Sequence, residues 1–269
     1  TMGDVARLSE RGEGALYKTF GVNAELLIDH AWGWEPTTIA MIKKYRPESS
    51  SLSSGQVLKE PYDYDKGRLI VREMTELLAL ELVKKRLVTK KMELTISYDR
   101  ESLRVLVPGQ TIQDTVYAVA KTGKPYTGTV TADYYGRPAP KHAHGTGNID
   151  RCTNSTRRIM QAVLEVFDRV VDPELLIRRV NIAALGLIDE REAPRETPEQ
   201  LDLFTDYEAL EKQREAEQAA DEKEKKLQQA TLLLQSKYGK NAVLKGMNLL
   251  EGGTTIERNG QIGGHRAGK

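Results

Sequence analysis

Residues 63–99 read DYDKGRLIVREMTELLALELVKKRLVTKKMELTISYD, and the hydrophobic period changes within this stretch. A stripe of six apolar residues at helical spacing predicts a helix over about 63–86. The stripe consists of Ile70, Val71, Met74, Leu77, Leu78 and Leu82. From Lys91 onward, apolar and polar residues alternate, with Met92, Leu94 and Ile96 on one side. The stretch therefore predicts a helix packed on one side and then a half-buried strand.

The same order of elements occurs twice in the chain. SLSSGQVL at 51–58 precedes the helix as a strand candidate. KHAHGTGNI at 141–149 is a second strand candidate with one polar side, and Ser155 is the predicted N-cap of a helix over about 156–170. LLIRRVNIAALGLI at 175–188 is the final strand. We predict an α+β domain over 47–189, in β-α-β-β-α-β order, whose four-stranded sheet carries both helices on one face.

Composition restricts the class of protein. The chain has 269 residues, a formal net charge of +1 and a single cysteine, Cys152. A lone cysteine forms no intramolecular disulfide and suits a reducing compartment, so we expect a cytoplasmic protein in which Cys152 has no catalytic role. No run of about 18 apolar residues occurs, which predicts no membrane span.

The segments outside the predicted sheet differ in composition. Residues 1–46 predict a partial helical domain, and because its helical pattern is already under way at Met2, we expect a fragment of a longer protein. Residues 100–138 predict an excursion with a possible hairpin, and 190–206 a polar linker. Residues 207–269 predict a solvated helix and then a mobile, Gly-rich tail.

The open face of the predicted sheet is polar and flanked by basic residues. Residues 137–181 hold eight basic and five acidic side chains, a local excess of positive charge in a chain that is otherwise nearly neutral. A polar face of this kind suits duplex phosphates and carries no base code. The predicted DNA-binding residues are Gly21, Lys141, His142, His144, Thr146, Arg178 and Arg179. From charge alone, an ordinary solvated sheet face remains an equal alternative.

Glycines contribute to this prediction in two places. Gly145 and Gly147, in the second strand candidate, are expected to let another backbone approach the sheet closely. Gly21 separates two predicted helices, where backbone N–H groups can point at a phosphate.

A metal site is the alternative for the two histidines. His142 and His144 lie two residues apart on a strand and therefore face the same way. No neighbouring cysteine or carboxylate cluster completes a ligand set, so we favour phosphate contact or plain exposure and expect no metal or other cofactor in this chain.

The stretch PEQLDLFTDY at 198–207 places apolar residues in a polar setting. Gln200, Leu201, Leu203 and Phe204 form the pattern QLxLF, which resembles the peptide by which bacterial replication proteins dock on the ring-shaped sliding clamp. Leu203 and Phe204 are the expected anchors in an apolar pocket. The bland alternative is that they pack on the domain's own core.

Several motifs together resemble the Y-family translesion DNA polymerases of the UmuC type. LYKTFGVNAELLIDHAWG at 16–33 resembles their thumb, and the two β-α-β units with PKHAHGT at 140–146 resemble their little finger. SKYGKNAVLKGMNL at 236–249 resembles the tails of the Gram-positive branch. The family's palm and fingers, which carry the catalytic residues, lie before the thumb and have no counterpart in this sequence.

The resemblance implies the C-terminal part of a polymerase active in DNA repair and SOS damage tolerance. Its partners would be primer–template DNA and the sliding clamp, and it would be inactive alone because Mg²⁺ binds in the palm. An adaptor module that binds DNA and the clamp without any palm is the alternative. Neither the lesion spectrum nor the oligomeric state follows from the sequence.

Overall fold

The computed structural model describes residues 1–45, 51–133, 135–194, 207–262 and 265–266. The chain divides into two compact units, Thr1–Glu48 and Ser49–Lys269. The first unit contains the helices α1 (Met2–Phe20), α2 (Asn23–Ala31) and α3 (Ile39–Lys44). Here α1 packs against α2, and the indole N–H of Trp32 donates to Ser9 Oγ at 3.0 Å.

The second unit contains the remaining helices and strands. In chain order they are β1 (Leu52–Tyr62), α4 (Tyr64–Lys85), β2 (Leu87–Tyr98), β3 (Leu103–Val107), β4 (Val116–Val119), β5 (Val130–Ala132), β6 (Pro138–Pro140), β7 (Ala143–Thr153), α5 (Thr156–Val170), β8 (Ile177–Leu185), β9 (Ile188–Asp189), α6 (Tyr207–Tyr238), α7 (Thr255–Asn259), β10 (Gln261–Ile262) and β11 (His265–Arg266). The β-α-β-β-α-β order predicted from the two hydrophobic periods is confirmed by β1, α4, β2, β7, α5 and β8.

The central sheet has the strand order β1-β8-β2-β7, and neighbouring strands are antiparallel. Each β-α-β unit is split, because β8 lies between β1 and β2 while β2 lies between β8 and β7. The short β9 continues the sheet by pairing with the start of β2. This arrangement interleaves the two halves of the domain, so neither half forms a complete sheet by itself.

Both long helices lie on one face of the sheet and form the core with it. Ile70, Met74 and Leu82 of α4 and Phe167 of α5 are buried against the inward residues of the strands. The inward residues include Leu58, Met92, Leu94, Ile96, Val180, Ile182 and Ala184. Ser155 caps α5 by accepting a hydrogen bond from the N–H of Arg158, as the sequence predicts.

Between β2 and β7 the chain makes two hairpins where the sequence predicted one. β3 pairs with β4, and β5 pairs with β6. Within the first hairpin, Tyr117, Ala118 and Val119 of β4 are buried, whereas Val105 and Val107 of β3 are exposed. The turn signals in the sequence therefore mark a real excursion, but its second hairpin was missed.

The expectation of a solvated helix and a mobile tail after residue 207 is wrong for much of that region. α6 packs against α4, and Gln228 of α6 is buried. Beyond it, Arg258 of α7 donates to Ser54 Oγ at 2.6 Å and to Gln56 Oε1 at 3.2 Å, both on β1. The segment after residue 207, called the tail below, therefore packs on the sheet domain, with α6 against α4 and α7 against β1.

Candidate nucleic-acid interface

The face of the sheet opposite α4 and α5 carries a row of residues that crosses the four main strands. Gly55 on β1 pairs with Asn181 on β8, Asn181 pairs with Thr95 on β2, and Thr95 pairs with His144 on β7. The Thr95 hydroxyl and His144 Nδ1 are 3.0 Å apart in a hydrogen bond. The Asn181 side chain lies over Gly55, where a Cβ would come within 2.9 Å of its Oδ1. The row is therefore polar, and it contains no aspartate, glutamate, lysine or arginine.

Charged residues flank this row on the same face. Arg179 lies two residues before Asn181 on β8 and pairs with Val57 on β1 and Ser97 on β2. Both Arg179 and Val57 are exposed. Lys91 pairs with Asn148 on the other side. Between Lys91 and the row lies Glu93, beside Thr146. The face therefore carries cations at its two ends and an acid near its middle.

Lys141 and His142 lie just before β7 and are exposed. The backbone N–H of Lys141 donates to the carbonyl of Thr129 at 2.9 Å, which fixes this segment beside the second hairpin. Together with His144 and Thr146, these two residues place four of the predicted DNA-binding residues along one edge strand and the segment before it. Their contact with DNA stays a prediction.

Gly145 and Gly147 do not serve the open face. A Cβ on Gly145 would lie 2.9 Å from Val166, and one on Gly147 would lie 2.9 Å from the carbonyl oxygen of Ala162. Both contacts belong to α5, on the opposite face. The expected role in admitting another molecule's backbone is therefore wrong, because strand alternation that turns His144 outward turns its glycine neighbours inward. These glycines instead let α5 pack closely against β7.

Arg178 and Arg179 are adjacent but differ in environment. The pairing of β8 with β2 shifts by one residue at a β-bulge, where Ser97 pairs with Arg179 and Tyr98 with Ile177, so Arg178 has no partner residue on β2. Arg178 Nη1 donates to the carbonyl of Lys59 at 3.0 Å, and its Nε lies 3.6 Å from Asp99 Oδ2. Arg179 has no acidic partner among the described residues. Arg179 is thus the better placed of the two for an external anion.

Most of the other basic residues between 137 and 181 have partners within the domain. Arg137 pairs with Asp133, and Arg169 donates to the carbonyl of Thr146 at 2.9 Å. Arg151, Arg157 and Arg158 face carboxylates of α6. Burial disfavours the charge of Arg158, but the carboxylates of Asp221 and Glu217 outweigh it and hold its pKa above the usual value. The charge excess seen in the sequence is thus largely neutralised by a helix that the sequence analysis treated as solvated.

Gly21 ends α1 with a positive φ of 58°, a conformation that favours glycine. Its N–H donates to the carbonyl of Tyr17 at 2.9 Å, so this amide already has an acceptor at the end of α1.

The predicted clamp-binding residues Gln200, Leu201, Leu203 and Phe204 lie outside the described residues.

Comparison with known proteins adds a family match. Residues 49–203, more than half of the chain, match the model for the impB/mucB/samB family C-terminal domain. Comparison with curated proteins gave no match. Among solved structures, a post-insertion binary complex of Dbh DNA polymerase is similar at 9% identity and a TM-score of 0.30. That similarity covers 68% of this chain and 41% of that one, so the chain spans less than half of the polymerase's length. A TM-score this low does not define a shared fold, and the family assignment rests on the family model.

No helix among the described residues has the length and apolar character that crossing a membrane requires.

Proposed function

Because the chain belongs to the impB/mucB/samB family and contains the C-terminal domain of a Y-family DNA polymerase, we propose that this domain holds duplex DNA by its sugar–phosphate backbone on the open face of the sheet. The observation that carries this proposal is the row formed by Gly55, Asn181, Thr95 and His144. Four strands at a spacing of about 4.8 Å give a platform about 14 Å across. Small side chains along it leave space for a duplex to approach.

The charges around the row suit phosphate and not base edges. Arg179 and Lys91 lie on either side of the row, and Lys141 lies next to its β7 end. Cations spread over a flat surface neutralise phosphates without forming the fixed donor and acceptor pairs that read a base. A domain of this kind holds damaged and undamaged duplex alike, which is the requirement in translesion synthesis.

The proposal extends to a tether on the sliding clamp and to a role in DNA repair. It is supported by the QLxLF pattern at residues 200–204, which follows the last strand of the family domain. Leu203 and Phe204 are the apolar anchors and Gln200 the polar contact at the rim of the clamp's pocket. Membership of the Gram-positive branch belongs to the same proposal, since it is supported only by the resemblance of residues 236–249.

The salt dependence of duplex binding tests the DNA contact. Fluorescence anisotropy with two unrelated duplex sequences, over a range of salt concentrations, gives the slope of log affinity against log salt. Arg179→Ala is expected to reduce the magnitude of this slope by about 0.9, the value for one lost phosphate contact, on both sequences. Lys223→Ala, an exposed cation on α6, is the matched control and leaves the slope unchanged. A loss confined to one duplex, or an equal loss in the control, contradicts backbone binding on this face.

A further inference from the structure

Three carboxylates of α6 lie on one face of the helix and point toward the sheet domain. Glu217, Asp221 and Glu224 are four and three residues apart, so they follow one another along the axis at about 6 Å and about 4.5 Å. All three are partly buried, whereas Glu211, Glu215 and Glu222 of the same helix are exposed. The chain therefore separates the acids of α6 into an inner row and an outer row.

Three arginines face the inner row. Arg157 Nη2 lies 2.8 Å from Asp221 Oδ1, and Arg158 Nη2 lies 3.2 Å from both Asp221 Oδ2 and Glu217 Oε2. Arg151 Nη2 lies 3.7 Å from Glu217 Oε2. Arg151 is on β7, the edge strand that also carries His144, and the other two arginines begin α5. The cluster thus lies on the helix side of the sheet, at the N-terminus of α5 and beside the edge strand β7.

Glu224 occupies the N-terminus of α5. Its Oε1 accepts from the backbone N–H of Arg157 at 2.9 Å, and its Oε2 accepts from the hydroxyl of Ser155 at 2.6 Å. Helix N-termini favour anions because their N–H groups are free and the helix dipole is positive there. A carboxylate from a helix more than 60 residues away therefore stands where an external anion would bind.

The arginine cluster has an unused donor. Arg158 is mostly buried, with 12% of its side chain exposed, and its Nε finds no acceptor among the described residues. A buried donor without a partner is unfavourable, so this Nε remains to be satisfied by another acceptor. The carboxylates of α6 thus satisfy this cluster incompletely.

The contact between α6 and the cluster is mainly polar. Apart from the carboxylates, Gln228 Nε2 donates to the carbonyl of Asn154 at 3.0 Å, and Lys225 pairs with Glu190. The ion pairs of Arg151 and Arg157 are partly exposed on both sides, and pairs of that kind are weak and are screened by salt. This half of α6 can therefore be exchanged for another anionic ligand without opening the apolar core.

We infer that Arg151, Arg157 and Arg158 form a second phosphate-binding surface, and that Glu217, Asp221 and Glu224 cover it in the absence of DNA. The sugar–phosphate backbone and the inner row of α6 compete for these three guanidinium groups and for the N-terminus of α5. The inference rests on the proposed DNA-holding function, since it concerns where the same duplex is held beyond the open face. Its ligand class is the phosphodiester backbone, and α6 acts as an intramolecular mimic of it.

Two triple variants that change the net charge equally test this inference. Glu217→Gln with Asp221→Asn and Glu224→Gln neutralises the inner row, and Glu211→Gln with Glu215→Gln and Glu222→Gln neutralises the outer row. Duplex affinity is measured for both at several salt concentrations. Neutralising the inner row is expected to raise affinity about tenfold or more at low salt and to steepen the slope by about 2 to 3, because up to three more phosphates are contacted. The outer-row variant reports the effect of charge alone, with a much smaller gain.

Reversal and folding controls complete the test. Adding Arg157→Ala and Arg158→Ala to the inner-row variant is expected to remove the gain. The single variant Asp221→Asn, which leaves the N-terminal contact of Glu224 in place, is expected to show a smaller gain in the same direction and serves if the triple variant has a lowered melting temperature. Equal gains in the inner-row and outer-row variants, or no gain in either while the wild type binds duplex, overturn the covered surface. A wild type that does not bind duplex at all overturns the proposed function instead.

Discussion

The carboxylate of Glu73, in the middle of α4, accepts a hydrogen bond of 2.9 Å from Nδ2 of Asn248, which lies 175 residues further along the chain. Its other oxygen accepts from the backbone N–H groups of Thr254 at 2.8 Å and Thr255 at 3.2 Å. Glu73 is only 2% exposed, so its oxygens are satisfied by these donors and not by water. This one acid thus joins two separate stretches of the tail to the core.

Glu73→Ala is expected to lower the free energy of unfolding by about 3 kcal/mol, because it leaves several buried donors without their acceptor. Glu81→Ala, on the same helix and more exposed, is the matched control and changes stability by less than about 0.5 kcal/mol. Urea denaturation measures both. A loss of equal size in the two variants would mean that helix α4, and not the docking of the tail, was affected.

Gly147→Val tests the close packing of α5 on β7. Strand propensity alone favours valine over glycine, but a Cβ here would lie 2.9 Å from the backbone oxygen of Ala162 and 3.0 Å from Val166. We expect destabilisation of about 1 to 3 kcal/mol. Asn148→Val, on the outward side of the same strand, is the control without this clash. A Gly147→Val protein as stable as the wild type in thermal unfolding would show that α5 shifts freely.

Tyr98 provides a pH-dependent prediction. Burial raises the pKa of Tyr98 to about 12, even though its oxygen accepts a hydrogen bond from the N–H of Asp172. The folded state therefore keeps this proton where the unfolded state loses it. The resulting stability is fully present below about pH 10 and is lost as pH rises toward the folded value.

Comparison with Tyr98→Phe isolates this effect. Between about pH 9 and 12, the wild type is expected to lose about 2 kcal/mol more than the variant, which has no phenol to ionise at this position. Other tyrosines titrate in both proteins, so their contributions cancel in the difference. Parallel stability curves across this range would show that Tyr98 ionises without cost to the fold.

Replacing Leu203 and Phe204 with Ala is expected to abolish binding to the bacterial sliding clamp and to leave duplex affinity unchanged. Hot-spot anchors of this kind contribute about 2 kcal/mol or more each, though such values often do not add. Titration with purified clamp measures the loss. An unchanged clamp affinity contradicts the tether, and a lowered melting temperature means that the two side chains pack on the domain instead.

The elements that form the sheet could be predicted because their side chains have clear periods. The alternation from Lys91 to Tyr98 and the apolar stripes of the two helices depend only on neighbouring residues, and the structure confirms them. The same alternation held the information that Gly145 and Gly147 face inward, since they lie between His144, Thr146 and Asn148. That signal was present and was misread.

The packing of the tail could not be predicted in the same way. Glu73 was visible as a charge within one turn of the apolar stripe of α4, but nothing in the sequence connects it to Asn248. Glu217, Asp221 and Glu224 likewise have the spacing of one helix face, yet acids on a polar helix usually face solvent. In both cases the partner lies far along the chain, where local patterns carry no information.

The split order of the sheet has a consequence for how the protein is made. Of the four long strands, β1 leaves the ribosome first, but its neighbour in the sheet among the described strands is β8, the last of the four to be synthesised. Until β8, which ends at Leu185, has emerged, β2 and β7 can pair with each other. During this time the backbone groups of β1 have no strand partner. The nascent chain is therefore most vulnerable to misassembly in this interval, and its central strand completes the sheet last.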